Sequence, residues 1–176
     1  MKSVNIGAFE IVSNSVVVSD YGQELGCSWD QIFIENVRNG VWAAAVIIGD
    51  NDKVVTLLAF TGRADQENGT WEETKTEIEA ASGTCGMFDA SRFQDDSGIR
   101  GVTRLGSELV FVDEPFQSEC LDRILNSKHS AGVIKYGCIA ALGGDGRCRC
   151  YTQKDQSGYV IGIKVELITD VETDTD

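Results

Sequence analysis

The chain has 176 residues, of which 42% are hydrophobic and 24% charged, and its formal net charge at pH 7 is −13. Length and composition predict one globular domain over residues 1–168 and an acidic, frayed tail over residues 169–176. The excess of acidic side chains repels phosphate backbones, which excludes unspecific nucleic-acid binding. The longest apolar run, residues 41–49, is too short for a membrane helix, and the first residues lack a secretory signal, so we expect a cytoplasmic protein.

Alternating and β-branched residues dominate the chain and predict a mainly β fold of antiparallel sheets, packed as a sandwich or a barrel-like roll. The clearest hairpins are residues 41–60, with a turn at residues 49–52, and residues 148–168. Further strands are expected at residues 16–18, 31–37, 74–80, 86–88, 109–112 and 133–142. Sheets of this kind have exposed edges, which leaves a homo-oligomer open.

One stretch has the periodicity of an α-helix. Apolar residues from Phe116 to Leu125 line one stripe of the segment 115–127, and Pro115 suits the first turn of a helix. Short polar side chains precede this segment as candidate caps. We expect this single amphipathic helix to cover one face or one end of the sheets.

Six cysteines and one histidine bear on metal and redox chemistry. Because the chain shows no export signal, reduced and buried thiols are expected rather than disulfides. Cys148 and Cys150 point to the same face of a predicted strand, whereas zinc knuckles place their ligands on turns. With His129 as the sole imidazole, the sequence predicts neither a metal site nor a cofactor.

The segment LGGDGRCRCY, residues 142–151, is the densest in glycine. Glycines around an aspartate between two strands predict a sharp bend of the chain. A second interpretation is a ligand pocket, in which Gly144, Asp145 and Gly146 turn backbone N–H groups toward an anion and Arg147 adds positive charge. A strand rather than a helix follows, so neither the phosphate loop nor the dinucleotide fingerprint applies.

Four further candidate ligand-binding residues lie in two short polar segments. Asp20 ends VVVSD, whereas Ser82, Gly83 and Asp89 belong to ASGTCGMFD. The structural interpretation of each carboxylate is that Asp20 anchors the turn after it and Asp89 caps the short turn ASRF. The functional interpretation is that these segments converge with the glycine-rich segment on one cleft.

Catalysis would need an organised set of reactive side chains. A nucleophilic Ser82 or Cys85 requires a general base and an orienting group, and His129 is the only imidazole. Paired carboxylates could perform acid–base chemistry only if Asp20 and Asp89 met Asp145 in one cleft. The sequence therefore favours binding over catalysis.

Three segments, taken in order, resemble a known family: VVVSD, ASGTCGMFD and ALGGDGRCRCY. They resemble the uncharacterised domain-of-unknown-function family four-two-four-one of bacterial and phage proteins. That family typically carries S/C-D near its start, a central D-S/A-G and a late S-G-x-G-D-G-x-Y. This chain departs from the pattern at Ala81, where the family usually has an aspartate, and at Cys148, where it has an aromatic residue. The resemblance implies a bacterial or phage protein, and any chemistry that rests on the central aspartate is lost here.

These observations predict a non-catalytic binding protein that recognises a protein or a small ligand, for instance an immunity-type or phage counter-defence inhibitor. One alternative is a protein that sequesters a nucleotide or another small ligand through amides near Gly144 and the cations Arg147 and Arg149. The other alternative is a hydrolase that uses carboxylates or Cys85. The sequence does not identify the partner or ligand.

Overall fold

The structure is a computed structural model of the chain. It describes residues 1–23, 31–62, 69–80, 82–95, 101–105, 108–112, 115–143 and 146–168. The predicted acidic tail, Cys27, Gly144 and Asp145 lie outside the described residues. Within the described ranges, no helix is long and apolar enough to cross a membrane.

The described residues are mainly β, as the alternating sequence pattern predicts, with a single helix among them. In chain order the elements are β1 (Lys2–Ile11), β2 (Ser15–Ser19), β3 (Ile32–Glu35), β4 (Gly40–Ile48), β5 (Val54–Phe60), β6 (Glu72–Glu73), β7 (Ile78–Ala80), β8 (Thr84–Asp89), β9 (Gly101–Leu105), β10 (Glu108–Val112), α1 (Pro115–Leu125), β11 (Ala131–Ile134), β12 (Gly137–Ala141), β13 (Gly146–Lys154) and β14 (Val160–Leu167). Both predicted hairpins are confirmed, as β4–β5 and β13–β14.

The strands form two larger antiparallel sheets and one separate hairpin. The seven-stranded sheet has the order β1-β4-β5-β14-β13-β6, and β7 also pairs with β13. The five-stranded sheet has the order β11-β12-β8-β2-β3, while β9 pairs with β10 alone. The described strands do not close into a barrel. Of the two predicted arrangements, the sandwich therefore fits the structure.

The main core lies between the two larger sheets. Trp42 and Leu57 enter it from the seven-stranded sheet, and Val18 and Met87 enter it from the five-stranded sheet. All four side chains are fully removed from solvent, and the indole N–H of Trp42 donates to the carbonyl oxygen of Arg38 at 2.9 Å. Burial of apolar surface in this layer is the main stabilising contribution to the fold.

A smaller core lies on the opposite face of the five-stranded sheet, under α1. Phe88 of β8 packs edge-to-face on Phe116 of the helix, with ring centroids 5.3 Å apart. Cys120 and Ile124, one and two turns further on, are buried in the same cluster. The predicted amphipathic helix is therefore confirmed and covers one sheet face, although it ends at Leu125 rather than two residues later.

Two strand predictions are wrong in their bounds. Residues 133–142 were expected to form one strand but form the hairpin β11–β12, which turns at Lys135 and Tyr136. Residues 74–80 become a strand only from Ile78 onward. Neither place contains the glycine, proline, asparagine or aspartate that typically marks a turn before the strand resumes, apart from Gly137 at the start of β12, so the pattern alone does not reveal the break.

The longest strand, β1, is absent from the sequence prediction. A β-bulge between Asn5 and Gly7 changes the phase of its apolar residues, which are even-numbered before the bulge and are Phe9 and Ile11 after it. Gly7 has a φ of 135°, and a Cβ there would lie 2.6 Å from Val133 Cγ2. Only glycine therefore fits this bulge, and the interrupted alternation hides the strand.

Candidate functional site

Residues 141–143, at the end of β12, form the floor of a surface groove. Their three consecutive N–H groups donate to the carbonyl oxygens of Ser130, Gly83 and Val54, at 2.8, 2.7 and 3.0 Å. These three acceptors belong to different connections of the chain, after α1, before β8 and at the start of β5. One short segment thus holds three surface segments together around a common space.

The groove is small and polar. Its lining residues are Asp52, Lys53, Val54, Ser82, Gly83, Lys128, His129, Ser130, Ala141, Leu142 and Gly143. Its volume is ≈ 410 Å³, toward the small end of the roughly 300–1,000 Å³ common for ligand pockets. Among the described lining residues, the basic side chains Lys53, Lys128 and His129 outnumber the one carboxylate, Asp52, while a second carboxylate, Asp20, contacts the lining residue Ser82.

Local turn chemistry fixes the basic side chains. Lys53 follows Asp52, whose φ of 59° and N–H bond to the carbonyl of Gly49, at 3.1 Å, close the β4–β5 turn. The ammonium of Lys53 then reaches the carbonyl oxygen of Gly143 at 3.3 Å across the groove. This bond keeps Nζ of Lys53 beside the floor, where a ligand anion can contact it.

Lys128 and His129 lie in the turn that follows α1. Ser130 has a φ of 53°, and the hydroxyl of Ser127 accepts the N–H of Ala131 at 2.8 Å, so hydrogen bonds define this turn. Lys128 is exposed and His129 is partly buried. These two lining residues therefore come from a different turn than Lys53 does.

Asp20, Ser82 and Thr84 form a hydrogen-bonded cluster at the rim of the groove. The hydroxyl of Ser82 donates to Oδ2 of Asp20 through a short bond, and that of Thr84 donates to Oδ1 at 3.2 Å. Asp20 also accepts the N–H of Gly22 at 3.0 Å, which confirms that it anchors the turn after it. The hydroxyl oxygens of Ser82 and Thr84 also lie 2.7 Å apart, so the three side chains satisfy one another at the rim.

Asp89 lies at the other end of β8 and takes no part in this groove. Its side chain is fully buried and accepts the N–H groups of Val12 and Ser13 at 2.7 and 2.9 Å. It also accepts the N–H and hydroxyl of Ser91 at 2.9 and 2.6 Å, so it caps the turn that follows, as predicted. Burial alone would raise the pKa of Asp89, but these hydrogen bonds together outweigh it and hold the pKa below its usual value.

Arg147 and Arg149 point away from the groove. On β13 they alternate with buried Cys148, and their guanidinium groups contact Glu77, at 3.2 Å from Arg147 and 3.8 Å from Arg149. Gly146 pairs with Ala80 as part of the same ladder. The cations expected beside the glycine-rich segment therefore form exposed ion pairs on the outer sheet face.

The bend predicted for the glycine-rich segment includes Gly144 and Asp145, which lie outside the described residues. Gly143 turns the chain out of β12, and a Cβ there would lie 3.1 Å from Cβ of Lys53. The N–H groups of Gly83 and Gly143 already donate to the carbonyls of Ala80 and Val54, so neither can hold an anion. Positive charge in the groove comes instead from side chains.

The cysteines of the described residues are buried thiols without disulfides, as expected. Burial raises the pKa of Cys85 well above its usual value and that of Cys138 to about 12. Cys85 faces the core between the sheets, whereas His129 lines the groove, so the two do not form a nucleophile–base pair. Among the described residues, no three histidine, cysteine or acidic side chains group as metal ligands.

The sequence interpretation identified one side of this site and missed the other. It named Ser82, Gly83 and Asp20, but not Lys53 or Lys128, because turn lysines are usually solvated and carry no motif. Only the pairing of residues 141–143 with distant segments brings them together.

Comparison of the chain with protein-family models, with curated proteins and with solved structures finds no match. The resemblance to family four-two-four-one stays a prediction.

Proposed function

We propose that this protein is a non-catalytic binding protein that holds a small anionic ligand in the groove above residues 141–143. The proposal rests on the hydrogen bonds by which the consecutive N–H groups of residues 141–143 hold three segments together. These bonds bring Lys53, Lys128 and His129 to one small groove. Ammonium and imidazole groups bind anions through charge-assisted hydrogen bonds, which are stronger than neutral ones.

Binding without turnover fits the chemistry of the lining. Ser82 bonds to a carboxylate and has no imidazole partner, which is a weak arrangement for a nucleophile. Cys85 is fully buried and its raised pKa keeps it protonated near neutral pH. Sequestration or sensing of a small anion, rather than its conversion, is the activity that these residues support.

The proposal is tested by isothermal titration of the protein with a panel of small anions: phosphate, sulfate, carboxylates, sugar phosphates and nucleotides. We expect saturable binding of at least one anion, with the ligand recovered unchanged after prolonged incubation. Lys128→Gln should weaken this binding by about tenfold, the usual effect of losing one charge-assisted hydrogen bond.

Arg147→Gln is the matched control, because it removes the same charge from a side chain that is paired with Glu77 outside the groove. We expect it to leave the dissociation constant unchanged. Equal weakening of anion binding by Arg147→Gln and Lys128→Gln would mean that only the net charge of the protein matters. It would contradict the placement of the ligand in the groove. Release of a product from a bound ligand would contradict a non-catalytic role.

A basic protein is the second candidate partner, and the net charge of −13 favours it. Such a partner would bind the acidic surface rather than the basic groove. Capture experiments with the wild type and with Lys128→Gln separate the two candidates. A basic protein that binds both forms equally, in the absence of any anion binding, would favour the second candidate.

A further inference from the structure

The basic groups of the groove suit a tetrahedral anion better than a planar one. Lys53 comes from the β4–β5 turn and Lys128 and His129 from the turn after α1, and no arginine is among the described lining residues. Carboxylates are commonly held by the planar fork of arginine, whereas lysine acts as a point charge and is a common phosphate ligand. Separate donors around one space match the oxygens of a phosphate group.

An acceptor in the same groove calls for ligand hydroxyl groups. Asp52 is among the lining residues, and its carboxylate accepts hydrogen bonds and donates none, whereas the hydroxyl of Ser82 is already engaged with Asp20 and Thr84. A bare phosphate dianion offers no proton to this acceptor and would be repelled by Asp52. A ligand that carries hydroxyl groups beside its phosphate would satisfy both kinds of lining group.

The apolar part of the groove is aliphatic. Val54 and Leu142 are nearly buried and belong to the core between the sheets, so Ala141 supplies the partly exposed apolar side chain, and the described lining contains no aromatic side chain. Proteins that hold nucleobases typically stack them on aromatic rings or arginine planes, and neither is found here among the described residues. The lining therefore favours a saturated carbon skeleton over a nucleobase.

We infer that the groove binds the phosphate monoester of a small, hydroxylated, non-aromatic compound, a class that sugar phosphates represent. The inference rests on the proposed function and specifies its ligand. Lys53, Lys128 and His129 contact the phosphate, while Asp52 accepts hydrogen bonds from ligand hydroxyl groups. Ala141 contacts the carbon skeleton.

Calorimetric titration at constant pH and ionic strength tests this inference with matched ligands. Glucose 6-phosphate is compared with glucuronate, which replaces the phosphate by a carboxylate, and ribose 5-phosphate is compared with adenosine monophosphate, which adds a base. We expect each sugar phosphate to bind about tenfold more tightly than its counterpart, as one charge-assisted or well-placed contact would give. Inorganic phosphate should bind more weakly than either sugar phosphate.

Variants then locate the bound ligand. Lys53→Gln should weaken glucose 6-phosphate binding by about tenfold, whereas Lys154→Gln, at the far end of β13 and paired with Glu72, should not weaken it. Asp52→Asn should lose the preference for glucose 6-phosphate over inorganic phosphate. Thermal melts of each variant separate loss of binding from loss of folding.

The outcomes distinguish this inference from the proposed function. Equal or tighter binding of glucuronate or adenosine monophosphate, still weakened by Lys53→Gln, would overturn the sugar-phosphate class and leave the anion groove in place. Absence of binding by all of these ligands and by the wider anion panel would overturn both. A preference for sugar phosphates that Lys53→Gln does not change would place the ligand elsewhere and overturn the inference.

Discussion

The two ends of β8 hold carboxylates in contrasting surroundings. Asp89, at the end of the strand, is fully buried and accepts backbone N–H groups from two separate segments. Asp20, beside the start of the strand, is partly exposed and accepts mainly from the hydroxyls of Ser82 and Thr84. Backbone donors are fixed by the fold, whereas hydroxyl donors can rotate. The first carboxylate therefore contributes mainly to stability, whereas the second holds side chains at the rim of the groove.

The largest effect is expected for Asp89→Ala. Loss of this buried carboxylate leaves the N–H groups of Val12, Ser13 and Ser91 without their acceptor, so the free energy of unfolding should fall by about 3 kcal/mol, measured by urea denaturation. Asp155→Ala is the comparison, since Asp155 accepts similar turn N–H groups and pairs with Arg38 at a partly exposed site, where water can replace these contacts. Equal losses in the two variants would contradict the distinction between buried and exposed carboxylates.

Acidification should act through the same residue. Because the folded pKa of Asp89 lies below its usual value of 3.8, its contribution to stability is fully present at higher pH and is lost as pH falls through the folded pKa. The stability difference between wild type and Asp89→Asn should therefore be constant near neutral pH and shrink below about pH 4. A difference that grows on acidification would contradict the assigned direction of the pKa shift.

Asp20→Asn should have a smaller effect on stability than Asp89→Ala and a measurable effect on anion binding in the groove. The amide keeps an acceptor for Ser82, so we expect a loss below about 1 kcal/mol in chemical denaturation. Removal of a negative charge beside the groove should tighten anion binding by about threefold at low salt. A loss of stability as large as that of Asp89→Ala would contradict the distinction between the two carboxylates at the ends of β8.

The smallest effect is expected at Cys85, next to Thr84 on the same strand. Its thiol faces the core and burial raises its pKa, so a thiol reagent such as iodoacetamide should not modify it in the folded protein at neutral pH. Mass spectrometry of the labelled protein, with a denatured sample as control, measures this. Rapid modification of Cys85 would revive the hydrolase alternative.

Much of the fold follows from local sequence patterns. The hairpins β4–β5 and β13–β14 and the helix α1 are confirmed because alternation, turn residues and helical periodicity agree over each of them. The strand β1 escaped prediction because its bulge at Gly7 changes the phase of alternation. The split of residues 133–142 into two strands escaped because Lys135 and Tyr136 carry no turn signature.

The site was less predictable than the fold, for a physical reason. Ser82 and Asp20 attracted attention through their residue types, and the structure brings them into contact. Asp89, like Asp20, follows a strand-like segment, so the sequence did not separate their roles. Hydrogen bonds from Val12 and Ser13, far away in the chain, show that Asp89 stabilises the fold. Lys53 and Lys128 belong to turns far apart in the chain, and only the non-local pairing of residues 141–143 brings them to one groove.

The most direct test of the anion groove is to map backbone amide resonances by NMR during titration with glucose 6-phosphate. We expect the amide resonances of Lys53, Gly83, Lys128 and Gly143 to shift together along one binding curve, while the amide chemical shift of Asp89 stays unchanged. Shifts confined to other surfaces, or no shifts up to millimolar ligand, would contradict it.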